Sequence, residues 1–389
     1  MNAFEPTKAL ITDDEVRRAL DAATEQVRCN LAEFTNTCQN HSSVRGFYPP
    51  CENNQWTTGF WPGEIWLAYE RTHDACFRDS GRILVESFMN RIQNRIEVDH
   101  HDMGFLYTPS CVAAWKLDRN ATARDAAILA ARQLCSRFQE KGSFIQAWGE
   151  MGKKENYRYI IDCLLNLPLL YWASNETGEK RFAEIADAHT RTCLANSIRA
   201  DGSTWHTFFM NPKTGKGDRG ETCQGYKNDS SWARGQAWAI YGLALSYRHT
   251  RDIKCIGIFN TVAEYYISRL PSDLVPYWDL IFQNGSDEPR DSSSAAIASC
   301  GFLEMSKYLP EQEASRWKVL ARQTVKSLVD NYSVSDPSIS NGQLLHGTYS
   351  KKSPYNTCTE EGVDECLAWG DYFYIEALTR LSTDWNPYW

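Results

Sequence analysis

Apolar residues recur along the whole chain in helix-length segments of two alternating kinds. One kind is hydrophobic nearly all round and ends in an aromatic residue. It occurs at residues 66–69, 112–115, 169–172, 243–247, 302–305 and 372–378. The other kind, at residues 181–194, 259–270 and 314–331, carries apolar residues at i, i+3 and i+4 with polar residues between them. Such a stripe is typical of a helix that covers a core from one side.

This alternation predicts helical hairpins that close into a ring. Inner and outer helices repeating at about 45 to 75 residues favour a closed ring over an open solenoid. The helix predicted at residues 13–33 supplies the outer partner that the sixth inner helix lacks. We therefore predict an all-α fold, an (α/α)6 barrel of six hairpins. Its rim loops are predicted at residues 199–230 and 333–365, with a short β-like insertion at residues 204–209.

Composition narrows the class of protein. No linker rich in Pro, Gly or Ser divides the chain, so we predict a single catalytic domain over residues 1–389. A net charge of -8 with scattered basic residues argues against nucleic-acid binding.

No basic leader precedes an apolar run, and no apolar run reaches the roughly 18 residues of a membrane span. Thirteen cysteines, an odd number without a Cys-x-x-Cys motif, are typical of reduced thiols. We expect a cytoplasmic protein, a monomer or homodimer, with no membrane partner.

Aromatic and charged residues fall just before, or in the first turn of, the predicted inner helices. They are Trp56, Asp102, Asp229, Arg234, Asp291 and Trp369. In a closed ring these helix ends share one mouth. Because indole rings stack on the apolar faces of sugars while carboxylates bind hydroxyl groups, this mouth is typical of a carbohydrate site. Many of the 14 Trp residues are expected to serve packing alone.

Two aspartates stand out as a candidate acid and base. Asp102 lies in a polar, His-rich turn, whereas Asp162 lies between Ile161 and Cys163 in a segment predicted as an apolar helix. An apolar environment raises the pKa of a carboxyl group and a polar one lowers it, so the pair is typical of acid–base catalysis. Pairing of Asp162 with an arginine is the structural alternative.

The other acids have simpler interpretations. Asp229 and Asp291 each precede two serines and are predicted to cap helix N-termini. Residues 99–102 contain types that bind metals, but the turn offers no clear further ligand and no helical His-x-x-x-His spacing. We predict neither a metal nor an organic cofactor.

Six ordered motifs resemble the unsaturated glucuronyl hydrolases, glycoside hydrolases that remove the 4,5-unsaturated uronic acid left by polysaccharide lyases. The motifs lie at residues 56–61, 100–107, 145–149, 161–168, 205–208 and 232–238. They span nearly the whole chain. The family fold implied by the resemblance is the (α/α)6 barrel, in agreement with the repeat.

The resemblance also implies roles for individual residues. Asp162 resembles the family's general acid/base, and Asp102 its second essential carboxylate. The implied substrate-binding residues are Trp56, Trp148, His206, Gln224, Arg234 and Trp238. In the implied reaction Asp162 protonates C4 of the C4=C5 double bond and water adds at C5. The resulting hemiketal opens and releases the rest of the sugar.

A rim loop at residues 346–355 bears on the choice of substrate. It resembles a Ser-x-x-Ser-x-Lys motif of members that act on sulfated glycosaminoglycan fragments. Ser350 and Ser353 match and are predicted substrate contacts, Tyr355 replaces the lysine, and Lys351 and Lys352 lie nearby. We therefore favour glycosaminoglycan-derived oligosaccharides. The alternative for this loop is that it is solvated and binds nothing specific. The alternatives for the protein are an unsaturated rhamnogalacturonyl hydrolase acting on a pectin-derived disaccharide and a non-catalytic sugar-binding barrel.

Overall fold

The computed structural model describes residues 9–389 and confirms the predicted barrel. The first eight residues, on which the expectation of no leader partly rests, lie outside this range. The α-helices of the described chain are α1 (Asp13–Phe34), α2 (Phe60–Thr72), α3 (Ala75–Gln93), α4 (Met103–Tyr107), α5 (Ala113–Asp118), α6 (Ala121–Ser136), α7 (Cys163–Asn166), α8 (Pro168–Thr177), α9 (Lys180–Asn196), α10 (Ala233–Thr250), α11 (Lys254–Arg269), α12 (Ser292–Ser306), α13 (Glu311–Asn331) and α14 (Ala368–Ser382). A π-helical turn, Thr108–Val112, joins α4 to α5.

These helices form six inner and six outer units within residues 9–389. The inner units are α2, α4 with α5, α7 with α8, α10, α12 and α14, and the outer units are α3, α6, α9, α11, α13 and α1. Burial follows the predicted pattern: every residue of α12 is buried, whereas α13 buries one stripe. At Gly301 the backbones of α12 and α10 approach so closely that a Cβ atom would lie 2.8 Å from the Cα of Tyr241.

Short antiparallel strands decorate the rim of the barrel. In the described chain they are β1 (Cys38–Gln39), β2 (Pro50–Cys51), β3 (Phe138–Gln139), β4 (Phe144–Ile145), β5 (Arg158–Ile160), β6 (Thr207–Met210), β7 (Gly217–Glu221), β8 (Gly347–Ser350) and β9 (Glu361–Glu365). Strand β6 lies in the insertion predicted to be extended and pairs with both β5 and β7. Both predicted rim loops therefore carry hairpins.

The C-terminal segment packs against the ends of the inner helices opposite the mouth. The Trp389 indole donates to Glu376 (2.7 Å) and its ring stacks on Phe373. The half-buried Lys116 donates its ammonium hydrogens to the carbonyls of Pro387 and Tyr388, at 2.8 and 2.9 Å. The starts of the inner helices lie at the other end, where the predicted site residues collect. The single domain stays a prediction.

Candidate active site

A cavity of about 380 Å³ opens among the starts of the inner helices. Of the residues predicted to form the site, the cavity is lined by Asp102, Asp162, Trp56, Trp148, Gln224, Arg234 and Trp238. His101, Trp232 and Tyr349 also line it, although they were not among the predicted site residues. His101 directly precedes Asp102, and this adjacency is the signal that could have identified it. Tyr349 lies in a rim loop without a helical pattern, so no periodicity points to it.

The two aspartates occupy equivalent positions at the starts of inner helices. Asp102 precedes α4 and Asp162 precedes α7, but neither side chain forms a capping hydrogen bond within residues 9–389. Ligand atoms of His101, Asp102 and Asp162 all lie within 4.8 Å of one another. The prediction that Asp162 lies inside an apolar helix is wrong, because it lies at the junction of β5 and α7. This junction aims its carboxyl group into the cavity.

The pKa values of the two carboxyl groups move in opposite directions. Burial and the neighbouring charge of Asp102 raise the pKa of Asp162 well above its usual value, against the effect of Arg234. Burial also acts to raise the pKa of Asp102, but His101 and His100 more than offset it and lower the pKa. Asp162 therefore keeps its proton under conditions in which Asp102 is ionised. This is the division of states that a proton donor beside a charged stabilising group requires.

His101 lies between the two acids. Its Nε2 is 3.4 Å from Asp102 and 3.8 Å from Asp162, and its buried Nδ1 has no hydrogen-bond partner among the described residues. Burial lowers the pKa of His101 to about 4, so the ring is neutral above that pH. The three groups are near enough to one another to ligate a cation. The opposite pKa shifts of the two carboxyl groups are those that proton transfer needs.

A glycine brings the two acids together. A Cβ atom on Gly104 would lie 2.3 Å from the Cα and 2.6 Å from the carbonyl oxygen of Asn166, at the end of α7. The Asn166 side chain in turn accepts a hydrogen bond from the backbone of Phe105 at 2.9 Å. Because the obstacle is backbone, α4 and α7 can approach this closely only with glycine at the contact.

Replacing this glycine is expected to impair turnover more than folding. Gly104→Ala pushes α4 away from α7 and costs about 1–3 kcal/mol of stability, as overpacking does. A displacement of Asp102 by about 1 Å lowers kcat by about a hundredfold. Denaturant unfolding and turnover are measured on the same preparations. The control is Gly257→Ala in α11, where a Cβ atom meets nothing within 4 Å. A Gly104→Ala protein with normal kcat would contradict this account.

Arg234 is a buried cation whose charge is already balanced. Its Nη1 pairs with Asp291 at 2.7 Å and donates to the carbonyl of Thr348 at 2.6 Å, and its Nη2 donates to the carbonyl of Tyr349 at 2.6 Å. Its guanidinium carbon lies 4.4 Å from the ring centroid of Trp232. Arg234 thus fastens the rim hairpin that carries Tyr349 to the start of α10.

Two predicted helix caps do not form. Asp291 stands at the N-cap position of α12, but its carboxylate pairs with Arg234 and accepts from the Ser293 hydroxyl at 2.5 Å instead of capping the helix. Asp229 is exposed, lies 3.1 Å from the Lys227 ammonium and stays outside the cavity. The capping prediction is wrong for Asp291 because its carboxylate is taken up by Arg234 and Ser293. It is wrong for Asp229 because α10 begins only at Ala233, with Trp232 at its N-cap position.

His206 and Gln224 form a hydrogen-bonded pair at the side of the cavity. His206 Nε2 lies 3.3 Å from Gln224 Oε1, and the Gln224 amide donates to the carbonyl of Tyr349 at 3.0 Å. The backbone N–H of Cys223 donates to His206 Nδ1 at 3.2 Å, which leaves the hydrogen on Nε2. Burial lowers the pKa of His206 to about 4. His206 itself is 5% exposed and lies behind Gln224, which lines the cavity.

Aromatic side chains form the walls. Trp56 donates its indole N–H to the Tyr349 hydroxyl at 3.1 Å and stacks on Trp369 with ring centroids 5.1 Å apart. Trp238 is 1% exposed, whereas Trp148 is 38% exposed and forms the outer wall. Such flat apolar surfaces suit the faces of a sugar ring.

The structure does not bring the two predicted serine contacts to the cavity. The Ser350 hydroxyl donates to the carbonyl of Thr359 at 2.8 Å, and that of Ser353 donates to the carbonyl of Tyr226 at 2.6 Å. Lys351 lies 3.6 Å from Glu360, and Lys352 donates to the carbonyl of Asn356. These groups order the rim loop, and a role for the two serines in substrate binding stays a prediction.

Comparisons with known proteins show which proteins this chain is similar to. The model of Glycosyl Hydrolase Family 88 matches residues 31–368. An unsaturated chondroitin disaccharide hydrolase of Streptococcus pneumoniae is 47% identical over 382 residues, covering 98% of this chain and 95% of that protein. The crystal structure of unsaturated glucuronyl hydrolase from Streptococcus agalactiae superimposes with a TM-score of 0.94 at 46% identity, over 98% of this chain and 95% of the other. A mutant of that hydrolase complexed with dGlcA-GalNAc6S gives a TM-score of 0.87 at 41% identity, with the same coverage.

Proposed function

The chain belongs to glycosyl hydrolase family 88 and is therefore a glycoside hydrolase, and from that premise we propose its substrate and the roles of its residues. It removes 4,5-unsaturated glucuronic acid from the non-reducing end of oligosaccharides that polysaccharide lyases release. Chondroitin-derived disaccharides are the substrates we favour, by similarity to the streptococcal relative. The observation that carries the proposal is the pair of Asp162 and Asp102 within 4.8 Å, with pKa values shifted in opposite directions.

The chemistry follows from these two protonation states. Protonated Asp162 donates its proton to C4 of the C4=C5 enol ether, and positive charge develops at C5 and the ring oxygen. Ionised Asp102 stabilises that charge, an effect that a dry, preorganised site strengthens. The Asp162 carboxylate then takes a proton from water as the oxygen adds to C5. The hemiketal so formed opens, and the glycosidic bond to the next sugar is lost.

Turnover of defined substrates tests the proposal. The purified protein is expected to remove the absorbance of the conjugated double bond from unsaturated chondroitin disaccharide and to release the free amino sugar, detected by mass spectrometry. An unsaturated rhamnogalacturonan disaccharide and unsaturated heparin and gellan fragments serve as comparison substrates. Faster turnover of the rhamnogalacturonan disaccharide would replace the proposed substrate with the pectin-derived one. Binding without product would favour a sugar-binding barrel.

We also propose a cytoplasmic location and a monomeric or homodimeric state. All 13 cysteines are unpaired in the described chain, in keeping with reduced thiols. Within residues 9–389, no helix has both the length and the apolar character that a membrane crossing needs. Thiol titration of the native and denatured protein, with light scattering for mass, tests the two proposals.

A further inference from the structure

Arg158 carries a positive charge beside the cavity and forms no salt bridge in the described chain. The charge of Glu221 acts on it from further away, but that carboxylate already pairs with Arg219. No carboxylate oxygen of residues 9–389 lies within the 4.0 Å of a salt bridge to this half-buried guanidinium. Its Nη1 donates to the carbonyl of Glu155 at 3.0 Å, and its Nε is buried without any partner in the described chain. A half-buried guanidinium with unused donors is a favourable place for an anion.

Its position relates it to the outer wall of the cavity. Arg158 and Ile160 alternate along β5, so their side chains leave the same face of the strand, and Ile160 lines the cavity. The Arg158 guanidinium lies 4.9 Å from the ring centroid of Trp148, the exposed aromatic wall. Arg158 therefore lies at the edge of the cavity and is nearer to solvent than Ile160.

A neighbouring arginine on the same sheet face shows the contrast. Arg158 and Arg219 both lie opposite Phe209 in the sheet, and their guanidinium carbons are 5.5 and 4.2 Å from its ring centroid. Arg219, however, is paired with Asp218 at 2.8 Å and Glu221 at 2.5 Å. Arg234 inside the cavity is likewise balanced by Asp291. Of these three guanidinium groups, the one without a counter-ion is the one next to Trp148.

We propose that Arg158 binds an anionic group, a sulfate ester or a carboxylate, carried by the sugars beyond the unsaturated uronate. The inference rests on the proposed function. A cavity of about 380 Å³ is near the small end of ligand pockets, so the second sugar lies at the mouth, against Trp148. There the Nη groups of Arg158, rather than its buried Nε, face oxygen atoms of the anion, in the paired geometry that arginine offers to sulfate and carboxylate alike. Arg158 thus determines which unsaturated oligosaccharides bind well.

Steady-state kinetics on three substrates test the subsite. They are unsulfated unsaturated chondroitin disaccharide, its 6-sulfated form, and an unsulfated tetrasaccharide whose third sugar carries a carboxylate. Arg158→Gln is expected to raise KM about tenfold on at least one of the two substrates with the added anion, since a charged hydrogen bond is lost. KM on the unsulfated disaccharide stays within about twofold, and Arg158→Lys recovers part of the loss. Which of the two anionic substrates responds identifies the sulfate or the carboxylate as the ligand.

The matched control is Arg219→Gln, which removes a guanidinium from the same sheet face and should leave the substrate preference unchanged. If Arg158→Gln weakens all three substrates equally, or none, Arg158 only supports Trp148 and the subsite is overturned. The wild-type rate on the unsulfated disaccharide separates the two proposals. A wild-type protein that turns over none of the three substrates overturns the proposed function and the subsite with it.

Discussion

Asp162→Asn abolishes removal of the double bond, with kcat reduced by about a thousandfold or more, within the range that loss of a general acid costs. The amide has the shape of the acid but cannot donate a proton to C4 or accept one from water. The substitution also removes a buried ionisable group that burial already disfavours in its charged form. Folding is therefore expected to survive, and the melting temperature should be unchanged or raised. Loss of absorbance of the unsaturated uronate measures the effect.

Asp229→Asn is the matched control for this substitution. Asp229 also precedes an inner helix, but it is exposed and pairs with Lys227 outside the cavity. Its replacement should leave kcat and KM unchanged. A folded Asp162→Asn protein with substantial turnover would show that another group supplies the proton, and His101 would be the next residue to replace.

Asp102→Asn is expected to lower kcat about a hundredfold or more, as removal of a preorganised stabilising group does. KM should change much less, because the amide still binds sugar hydroxyl groups while it no longer stabilises the positive charge of the transition state. Slow turnover with retained substrate binding, measured by calorimetry, distinguishes the loss of charge stabilisation from a disrupted site. A raised KM with unchanged kcat would assign Asp102 to substrate binding alone.

The pH profile of the residual activity gives a second measurement on Asp102→Asn. In the wild type, activity requires Asp162 protonated and Asp102 ionised. It is lost as pH rises through the raised pKa of Asp162 and as pH falls through the lowered pKa of Asp102. The charge of Asp102 is one cause of the raised pKa of Asp162. Removing that charge lowers the pKa of Asp162, so the alkaline limb should move to lower pH. A shift to higher pH would contradict the assignment.

The helical repeat and the motifs predicted the barrel and most of the cavity from local patterns. Hydrophobic periodicity depends on residues three or four apart, and a ring of hairpins follows from buried inner and half-covered outer helices. The unlike surroundings of Asp162 and Asp102 could also be inferred from their immediate neighbours. Their catalytic roles were inferred from the resemblance to the family. The prediction that Asp162 lies inside a helix was wrong because β5, the strand just before it, has only three residues and is too short to show a hydrophobic period.

Some contacts of the site and its rim loop depend on partners far apart in the chain. Asp291 was expected to cap its own helix but pairs with Arg234, 57 residues away. The hydroxyl of Ser353, a predicted substrate contact, donates to the carbonyl of Tyr226, 127 residues away. Neither partner could be inferred from the residues next to these two.

Sequence patterning was therefore enough to specify a ring of hairpins and to place Asp102 at its mouth, because helix periodicity depends on residues only three or four apart. The junction of β5 and α7 that brings Asp162 there appeared only in the fold. The charge balance of the site was settled by folding alone. Closure of the barrel brings Asp291 to Arg234 and leaves Arg158 without a counter-ion, and it sets Gly104 against Asn166 so that both acids share one cavity. The physical reason is that electrostatic energies and close packing depend on distances across the closed ring, which spacing along the chain does not encode.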